Sequence, residues 1–365
     1  MRIGLVIYGT LETLSGGYLY DRRLVAYLRE MGDRVSVFSQ PWRSAYFLRL
    51  AQNFNRKWIR EVTHHELDIL LEDELNHPSL FQLNHQIRKL RHFPIVTIVH
   101  HLLSSEEQQP VQKELSSRVE KAYLEGVDGF VFNSVTTRQT VETLLLRPAI
   151  PSVVATPAGD RFGPGMNEQQ IEARWARREG LNLLFIGNLM RRKGLHVLLR
   201  ALGGLRQGGW RLRVVGRTDV DGHYAQQMVH LAQKLGIAER VTFLGKLSDE
   251  ALRSELQTAD VLAVPSQYEG FGIVYLEGMS FGLPCLATTS GAAREIIRDG
   301  VEGFLIPPGN WQALSGKIME LLDDSPGLLQ MSLSARRRFQ TFPRWQESMA
   351  RVREFLVEMT GSRRS

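Results

Sequence analysis

The sequence predicts an α/β protein built from two doubly wound domains, each a parallel sheet covered by helices on both faces. Short apolar runs alternate with amphipathic segments along almost all of the 365 residues, which is typical of such sheets. Six apolar runs lie in each half of the chain, and its length exceeds one typical domain core. Because these sheets bind ligands at the carboxyl ends of their strands, we expect the active site in an interdomain cleft.

The predicted strands are the apolar runs that turn-forming residues separate. In the first half they are Ile3–Tyr8, Val35–Phe38, Ile69–Leu71, Ile95–Val99, Gly129–Phe132 and Ser152–Ala155. In the second half they are Leu181–Ile186, Leu212–Val215, Val241–Leu244, Val261–Val264, Cys285–Ala287 and Phe304–Ile306. Helical periodicity between them predicts helices, for example at Leu24–Met31, Ala225–Leu235 and Glu250–Gln257.

The domain boundary is expected within residues 156–167, which are rich in glycine and proline and have little periodicity. We therefore predict an N-terminal domain over residues 1–156 and a second domain over residues 157–344. A further interruption at Phe342–Trp345 precedes a last helix, predicted over residues 345–360, which we expect to cross back to the first domain.

Composition and charge narrow the class of protein. A hydrophobic share of 43% is ordinary for a globular protein, and no run of eighteen apolar residues predicts a transmembrane helix. The single cysteine, Cys285, cannot form an internal disulfide, which favours the cytoplasm. A net charge of +6 fits an anionic ligand, nucleic acid or an anionic membrane, and does not choose among them.

Two carboxylates, Glu269 and Glu277, flank a glycine-rich turn and form the most informative feature of the chain. The turn follows the apolar run Val261–Pro265 and precedes a predicted helix, Ile273–Ser280. Backbone N–H groups at a strand-to-helix junction attract anions, and carboxylates accept hydrogen bonds from hydroxyls. The pattern therefore fits a nucleotide sugar, although Glu269 could instead cap the helix while Glu277 faces solvent.

The segment Ala259–Pro284 resembles the donor-binding signature of the family 4 retaining glycosyltransferases. The resemblance continues through Phe185–Gly194, Val241–Gly245, Ser290–Glu295 and Asp299–Gly309. It covers nearly all of the second half in the expected order, whereas the first half matches more weakly. It implies the GT-B fold, in which two Rossmann-like domains enclose a cleft and the first binds the variable acceptor.

The resemblance implies a role in donor binding for each matching residue. Glu269 would hold sugar hydroxyls and Glu277 the ribose hydroxyls, while Lys193 would neutralise the diphosphate as the glycosidic bond breaks. The alternative for Lys193 is an exposed lysine at the start of a helix. The other residues expected at the donor are Gly187, Asn188, Arg192, Leu244, Gly270, Phe271, Gly272 and Ile273.

One position departs from the family pattern. Many relatives have an arginine directly after the loop glycine, where it meets the diphosphate, but here Asn188 follows Gly187. Arg191 or Arg192, in the same loop, could supply the charge instead. The departure keeps a second hypothesis open, in which the protein binds nucleotide sugars but has weak catalytic activity.

In the first half, the resemblance assigns a catalytic role to His100, which directly follows a predicted strand and would face the transferred sugar. His101 is the second choice for that role, and either histidine could simply end the strand. Gly16 and Gly17 precede a helix and would bring the backbone close to the donor phosphates or the acceptor. An ordinary loop is the alternative for these glycines.

The acidic segment Glu72–Glu74, with His77 nearby, follows another predicted strand. Carboxylates and a histidine could bind a metal, but a catalytic metal is not usual in this fold. We therefore expect no metal and no cofactor. Glu74, with His101, is assigned to the acceptor side, and a solvated face is the alternative.

Residues 41–60 combine aromatic residues with arginine and lysine. The apolar positions recur at four-residue steps, at Trp42, Tyr46, Leu50, Phe54 and Trp58. The basic positions interleave with them, at Arg43, Arg49, Arg56, Lys57 and Arg60. The pattern predicts either a basic amphipathic helix on anionic lipid or an ordinary helix packed against the first sheet.

The sequence thus predicts a retaining glycosyltransferase with His100, Lys193 and Glu269 as its catalytic residues. The expected partners are a UDP- or GDP-sugar donor and a hydroxyl acceptor such as a glycolipid or cell-envelope glycan, and no nucleic acid. The expected location is the cytoplasm, with peripheral contact at the inner face of the membrane. A nicotinamide-dependent oxidoreductase is disfavoured, because residues 9–14 lack the Gly-x-Gly-x-x-Gly pattern.

Overall fold

In a computed structural model, the chain divides into two compact units. Unit 1 comprises Met1–Pro157 and Trp345–Ser365, and unit 2 comprises Ala158–Arg344. The residues that the structure describes are 1–13, 15–106, 110–146, 151–205 and 208–361. Each unit has its own parallel sheet and its own helices.

Every predicted strand is confirmed to within two residues of its observed bounds. The strands of unit 1 are β1 (Arg2–Tyr8), β2 (Arg34–Gln40), β3 (Ile69–Asp73), β4 (Ile95–Val99), β5 (Gly129–Phe132) and β6 (Ser152–Val154). The strands of unit 2 are β7 (Leu181–Ile186), β8 (Trp210–Val215), β9 (Val241–Gly245), β10 (Val261–Ala263), β11 (Cys285–Thr288) and β12 (Gly303–Ile306).

The helices alternate with the strands as predicted. The first eight are α1 (Gly16–Glu30), α2 (Tyr46–Ala51), α3 (Arg56–His64), α4 (His77–Leu90), α5 (Pro110–Glu125), α6 (Val135–Leu145), α7 (Glu168–Ala176) and α8 (Leu195–Gly203). The others are α9 (Gly222–Lys234), α10 (Asp249–Thr258), α11 (Ile273–Ser280), α12 (Ala293–Ile296), α13 (Trp311–Asp323), α14 (Ser325–Gln340) and α15 (Trp345–Gly361).

Both sheets are six-stranded, and all their paired strands are parallel. The strand order is β2-β1-β3-β4-β5-β6 in unit 1 and β12-β11-β10-β7-β8-β9 in unit 2. The order reverses direction between β1 and β3 in unit 1 and between β10 and β7 in unit 2. Such switch points are where open α/β sheets bind ligands, at the carboxyl ends of the strands.

The last helix, α15, packs within unit 1. Its Arg353 Nε lies 2.7 Å from Asp33 Oδ2, and the other Asp33 oxygen lies 2.6 Å from the N-terminal amine. The ring of Trp345 meets the ring of Tyr20, on α1, edge to face with centroids 5.9 Å apart. These contacts attach α15 to the unit that contains the chain's first strand.

Residues 41–60 do not form the single helix that the four-residue spacing predicted. Helix α2 ends at Ala51, and Asn55 caps the start of α3, where its side chain accepts a hydrogen bond from Trp58 N. The break turns Trp58 into the core, while Phe47 and Phe54 remain 68% and 78% exposed. No helix in the described part of the chain is both long and apolar enough to span a membrane.

Candidate functional site

Two loops meet at the switch point of unit 2, one after β7 and one after β10. A 3-10 turn, Arg191–Lys193, follows β7 and leads through Gly194 into α8. Gly194 has a φ of +75° and lies against the carbonyl oxygen of Pro265, so any larger residue would collide with that backbone. The glycine therefore allows the two loops to pack closely.

Hydrogen bonds to backbone carbonyl oxygens then connect these two loops. Gln267 N donates to Arg192 O over 2.8 Å, and the Arg192 guanidinium donates to Tyr268 O over 2.8 Å. Further along, Ala292 N donates to Glu269 O over 2.9 Å. The backbone of the second loop is thus held on both sides, which fixes where the Glu269 side chain can point.

An ion pair between Lys193 and Glu269 lies at the centre of the joined loops. Lys193 Nζ is 2.5 Å from Glu269 Oε1, and Ser266 Oγ donates to the same oxygen over 2.6 Å. The Glu269 side chain is only 10% exposed and that of Lys193 18%. The sequence predicted both residues for one site, and the structure brings them into contact.

The charges around Glu269 keep its carboxyl group ionised. Burial alone would raise its pKa, but the attraction of Lys193 and Arg192 and the hydrogen bonds from Lys193 and Ser266 outweigh burial. The net effect lowers the pKa of Glu269 to about 2. At neutral pH this side chain is therefore a carboxylate that can accept hydrogen bonds from hydroxyl groups.

The predicted helix at Ile273–Ser280 is confirmed, and its N-cap is Gly272 rather than Glu269. Gly272 has a φ of +96°, and as a glycine it contributes no side-chain hydrogen bond to the N-terminus of α11. Glu277 is 4% exposed, and Arg161 Nη1 lies 3.5 Å from its Oε1. The alternative of a capping Glu269 and a solvated Glu277 is therefore wrong.

Arg161 is a component of this region that the sequence did not predict. Its guanidinium also pairs with Asp249, at the start of α10, so it links that helix to Glu277. It lies in the glycine- and proline-rich boundary segment, where no local pattern marks a functional residue. Ser266 was also missed, although a hydroxyl three positions before Glu269 is a signal that could have found it.

The ends of β7, β8 and β9 converge beside the same loops. Gly187 N donates to Val215 O, and Gly216 N donates to Gly245 O, each over 2.9 Å. A Cβ on Gly187 would lie 3.5 Å from the Lys193 side chain. This approach places the backbone of Gly187 beside the aliphatic part of the Lys193 side chain.

The remaining predicted donor residues lie on or beside these elements. Asn188 follows Gly187, and Leu244 is half-buried in β9. Arg191 is exposed, whereas Arg192 is half-buried and bonded to Tyr268 O. Gly270 and Phe271 lie in the turn before α11, and Ile273 is the first residue of that helix. Phe271 is buried.

In unit 1, His100 directly follows β4, and its side chain is 14% exposed. Its Nε2 lies 3.4 Å from Asp21 Oδ1, on α1, and its ring meets Tyr20 edge to face. A Cβ on Gly17 would lie 3.0 Å from the His100 ring. Gly17 therefore lets the start of α1, which Gly16 opens, approach the histidine closely.

Carboxylates surround His100 and favour its charged form. Burial would lower its pKa, but the hydrogen bond and charge of Asp21, with the charges of Asp73 and Glu74, raise the pKa of His100 to about 9. Asp21 is fully buried, and its Oδ1, 3.4 Å from His100 Nε2, is held beside the imidazole ring. Sequence reasoning missed Asp21, because an acid within an amphipathic helix gives no local sign that it faces inward.

The expectation of a solvated acidic face at Glu72–Glu74 is wrong. Glu72, Glu74 and His77 are each at most 3% exposed, because β3 is buried on both faces and α4 covers its end. Burial raises the pKa of Glu72 to about 7 and lowers that of His77 to about 4. His101, which follows His100, is half-buried, and its Nε2 lies 2.9 Å from Glu106 Oε1.

Residues 167–338 match the family described as "Glycosyl transferases group 1". This segment belongs to the group 1 glycosyl transferases. It contains the loop after β7, the joined loop after β10 and all of α11. The predicted family resemblance is therefore confirmed for the part of the chain that carries Lys193, Glu269 and Glu277.

Among curated proteins, the chain is similar to a GDP-mannose-dependent alpha-(1-6)-phosphatidylinositol monomannoside mannosyltransferase of Mycolicibacterium smegmatis. The two are 32% identical over 210 residues, which cover 54% of this chain and 53% of that protein. The chain thus spans about half the length of the curated relatives that it matches first.

Solved structures show that the whole chain has the GT-B fold. Sucrose-phosphate synthase from Thermosynechococcus elongatus aligns over 99% of both chains with a TM-score of 0.83 and 21% identity. HepE from Anabaena, solved in complex with UDP-glucose, aligns over 98% of this chain and 100% of its own, with a TM-score of 0.76 and 20% identity. The predicted fold class, with two Rossmann-like domains, is confirmed.

Proposed function

We propose that this protein is a retaining glycosyltransferase, which moves a sugar from a nucleotide-sugar donor to a hydroxyl acceptor. The observation that carries the proposal is the pair of Lys193 and Glu269 at the switch point of unit 2, 2.5 Å apart. The ammonium group of Lys193 would bind phosphate and the carboxylate of Glu269 would bind hydroxyls, and a nucleotide sugar has both kinds of group. Family membership of residues 167–338 and a neighbour of the same fold solved with UDP-glucose support this choice.

Lys193 would act on the leaving group. As the glycosidic bond breaks, the nucleoside diphosphate gains negative charge, and a fixed ammonium group stabilises that charge more in the transition state than in the ground state. The N-terminus of α11 would assist, since its N-cap residue Gly272 has no side chain and lets a ligand approach the backbone closely. No metal and no cofactor take part in this proposal.

The two glutamates would orient the donor. Glu269 accepts from Lys193 and Ser266 through the same oxygen, Oε1, so a sugar hydroxyl would donate to Oε2. Glu277, which Arg161 holds on α11, would accept from the ribose hydroxyls. Such fixed contacts lower the barrier by holding the reacting carbon in position.

For His100 we propose a hydrogen bond from its imidazolium to a substrate hydroxyl. Its raised pKa keeps the ring protonated at neutral pH, so it would serve as a donor and not as a general base. The acceptor proton would then leave with a phosphate oxygen of the donor, and the new bond would form on the face that the diphosphate leaves.

The test is nucleoside-diphosphate release from a panel of UDP- and GDP-sugars, with and without hydroxyl acceptors. We expect acceptor-dependent release from one donor and a product with the donor's anomeric configuration by NMR. A matched control for Lys193→Ala is Lys234→Ala, an exposed lysine at the end of α9 in the same unit. The control should keep wild-type turnover.

Three outcomes would contradict the proposal in different ways. Tight donor binding without any turnover would favour the alternative of a nucleotide-sugar-binding protein. Full turnover in Lys193→Ala would remove the donor site proposed here. An inverted anomeric configuration in the product would refute the retaining mechanism alone.

We further propose that unit 1 makes a peripheral contact with anionic membranes through residues 41–60. Trp42, Phe47 and Phe54 are exposed, and exposed cations lie beside them at Arg43, Arg56, Lys57 and Arg60. Insertion of an exposed phenylalanine into lipid contributes about 1.5–3 kcal/mol. Each cation near an anionic surface adds about 1 kcal/mol.

Co-sedimentation with phosphatidylglycerol vesicles tests this contact. We expect binding that Arg56→Glu with Lys57→Glu abolishes, because the reversal replaces attraction by repulsion. The matched control is Arg23→Glu with Lys89→Glu, which reverses two other exposed charges of unit 1. Equal binding to phosphatidylcholine vesicles, or none by the wild type, would refute the proposal.

A further inference from the structure

Three metal-ligating side chains of unit 1 meet in one buried cluster, outside the donor site of unit 2. Glu74 follows β3, His77 begins α4, and Glu120 lies on α5. One ligand atom from each lies within 4.8 Å of the other two, and all three residues are at most 3% exposed. Three separate elements thus direct donor atoms to a common point.

One carboxylate oxygen in this cluster has no hydrogen-bond partner. Glu120 accepts from the backbone N–H groups of Leu103 and Ser104. His77 Nδ1 donates to the carbonyl oxygen of Glu74 over 3.1 Å. Glu74 Oε1, although buried and only 3.1 Å from the His77 ring, accepts no hydrogen bond within the described residues. A buried carboxylate oxygen left in this state costs free energy unless something binds it.

The cluster also lacks a compensating cationic side chain. In the described part of the chain neither Glu74 nor Glu120 forms a salt bridge with a lysine or an arginine, and Glu74 pairs only with His77. Two carboxylates that face each other in the protein interior repel unless a positive charge lies between them. A proton or a metal ion could supply that charge.

We propose that Glu74, His77 and Glu120 bind a divalent transition-metal ion, such as Zn²⁺, that stabilises unit 1. Two carboxylates and one imidazole are ligands that such ions prefer, whereas Mg²⁺ and Ca²⁺ favour oxygen alone. Ligand atoms about 2.1 Å from a metal lie roughly 3–4 Å from one another, so small side-chain rotations would bring the three ligands to one ion, and the second oxygen of Glu74 would supply the fourth position. The hydrogen bond to Glu74 O orients the His77 ring, as outer-shell partners do in metal sites.

This ion would be structural, because the cluster is closed to solvent and binding of the nucleotide-sugar donor is assigned to unit 2. The proposal therefore does not depend on the proposed transferase function. Because Nδ1 donates to Glu74 O, Nε2 would be the ligand and would exchange its 3.3 Å contact with Tyr46 OH for the ion. Ser104 N donates to Glu120, so the ion would link the loop after β4 to α4 and α5.

Metal content of the untagged full-length protein tests the proposal. The protein is unfolded in guanidinium with a chelator and refolded with or without Zn²⁺, because the buried site exchanges slowly once folded. Elemental analysis after gel filtration should find about one Zn²⁺ per chain. The melting temperature should be higher in the Zn²⁺-refolded sample, since the ion binds the native state.

Three variants locate the ion. Glu74→Gln and Glu120→Gln should each lower the Zn²⁺ affinity by more than about 100-fold, because loss of an outer-shell partner alone costs about 10–100-fold. Glu125→Gln, on the exposed face of α5, is the matched control and should bind as the wild type does. If a variant fails to fold, Co²⁺ in the wild type still reports the site, through ligand-field absorption and paramagnetic shifts of the His77 ring.

Two results would overturn the proposal. One is refolded wild type that holds no Zn²⁺ and gives no Co²⁺ spectrum, which would mean that Glu74 and Glu120 share a proton only. The other is undiminished Zn²⁺ binding in a folded Glu74→Gln or Glu120→Gln variant, which would place the ion elsewhere.

Discussion

Buried carboxylates in the two units have opposite electrostatic surroundings. Glu269 of unit 2 is 7% exposed, and Lys193 and Arg192 lower its pKa to about 2. Glu120 of unit 1 is fully buried, and burial together with the charge of Glu74 raises its pKa to about 7. Burial is alike in the two places, so the sign of the neighbouring charge decides the ionisation state.

The comparison extends to the loops at the two switch points. The loop after β7 in unit 2 contains Arg191, Arg192 and Lys193, whereas β3 in unit 1 ends in Asp73, which Glu74 follows. Each of these places lies beside the switch point of its own sheet, and the two carry opposite charge. The first suits a phosphate-bearing ligand, and the second suits a cation or the imidazolium of His100.

The largest expected effect is on turnover, at Lys193. If its ammonium stabilises the departing diphosphate, Lys193→Ala should lower kcat by about 10²–10³-fold. Asn188→Ala should lower it far less, since an amide carries no charge to lose. Steady-state kinetics with the best donor measure both, and equal losses would break the electrostatic account of this loop.

Next in size is the effect of removing Glu269 on the stability of unit 2. Glu269→Ala leaves Lys193 as a poorly compensated charge among Arg192 and the surrounding loops, and we expect a loss of about 3 kcal/mol in the free energy of unfolding. The double variant Lys193→Met with Glu269→Ala should recover part of it, and a double-mutant cycle in guanidinium, completed by Lys193→Met alone, would show this. Additive losses would mean that the ion pair contributes nothing.

A smaller effect is expected on the pKa of His100. Carboxylates surround this cation, whereas cations surround the carboxylate of Glu269. Asp21→Asn removes the nearest carboxylate, so the pKa of His100 should fall from about 9 by about 1–2 units, or about 1.4–2.7 kcal/mol. NMR titration of the imidazole measures it directly. An unchanged pKa would show that Asp73 and Glu74 hold the charge without Asp21.

The raised pKa of His100 also predicts the pH dependence of stability. The folded pKa lies above the unfolded value of 6.5, so the stabilisation is fully present below about pH 6.5 and is lost as the pH rises through about 9. Asp21→Asn should flatten this dependence between those limits. Unfolding free energies at several pH values, compared with the wild type, test the sign.

The smallest predicted effect concerns close packing at Gly17. Gly316→Ala, within α13 and open to solvent, should stabilise the protein by about 0.5–1 kcal/mol, as alanine favours helix. Gly17→Ala adds the same methyl group at 3.0 Å from the His100 ring and should lose that gain. A stabilised Gly17→Ala variant with an unmoved histidine would contradict the close approach.

Much of the fold could be predicted because its determinants are local. Apolar runs such as Ile95–Val99 are long enough for a strand and too short for a helix, and the glycines before α11 mark a helix start. Lys193 and Glu269 could be assigned to one site because the family resemblance covers both of the segments that contain them. The single helix predicted over residues 41–60 failed, since Asn55 offers a cap that the four-residue spacing does not reveal.

By itself the sequence determined the twelve strands, the family of the second unit and the two charged residues of its central ion pair. Tertiary structure alone decided that Asp21 meets His100, that Arg161 meets Glu277 and that Glu120 meets Glu74 and His77. Each of those partners lies on a helix or loop far along the chain, and its own neighbours in sequence give no sign of which face is buried. Ionisation, which depends on the charges that folding brings within a few ångströms, could therefore be assigned only from the structure.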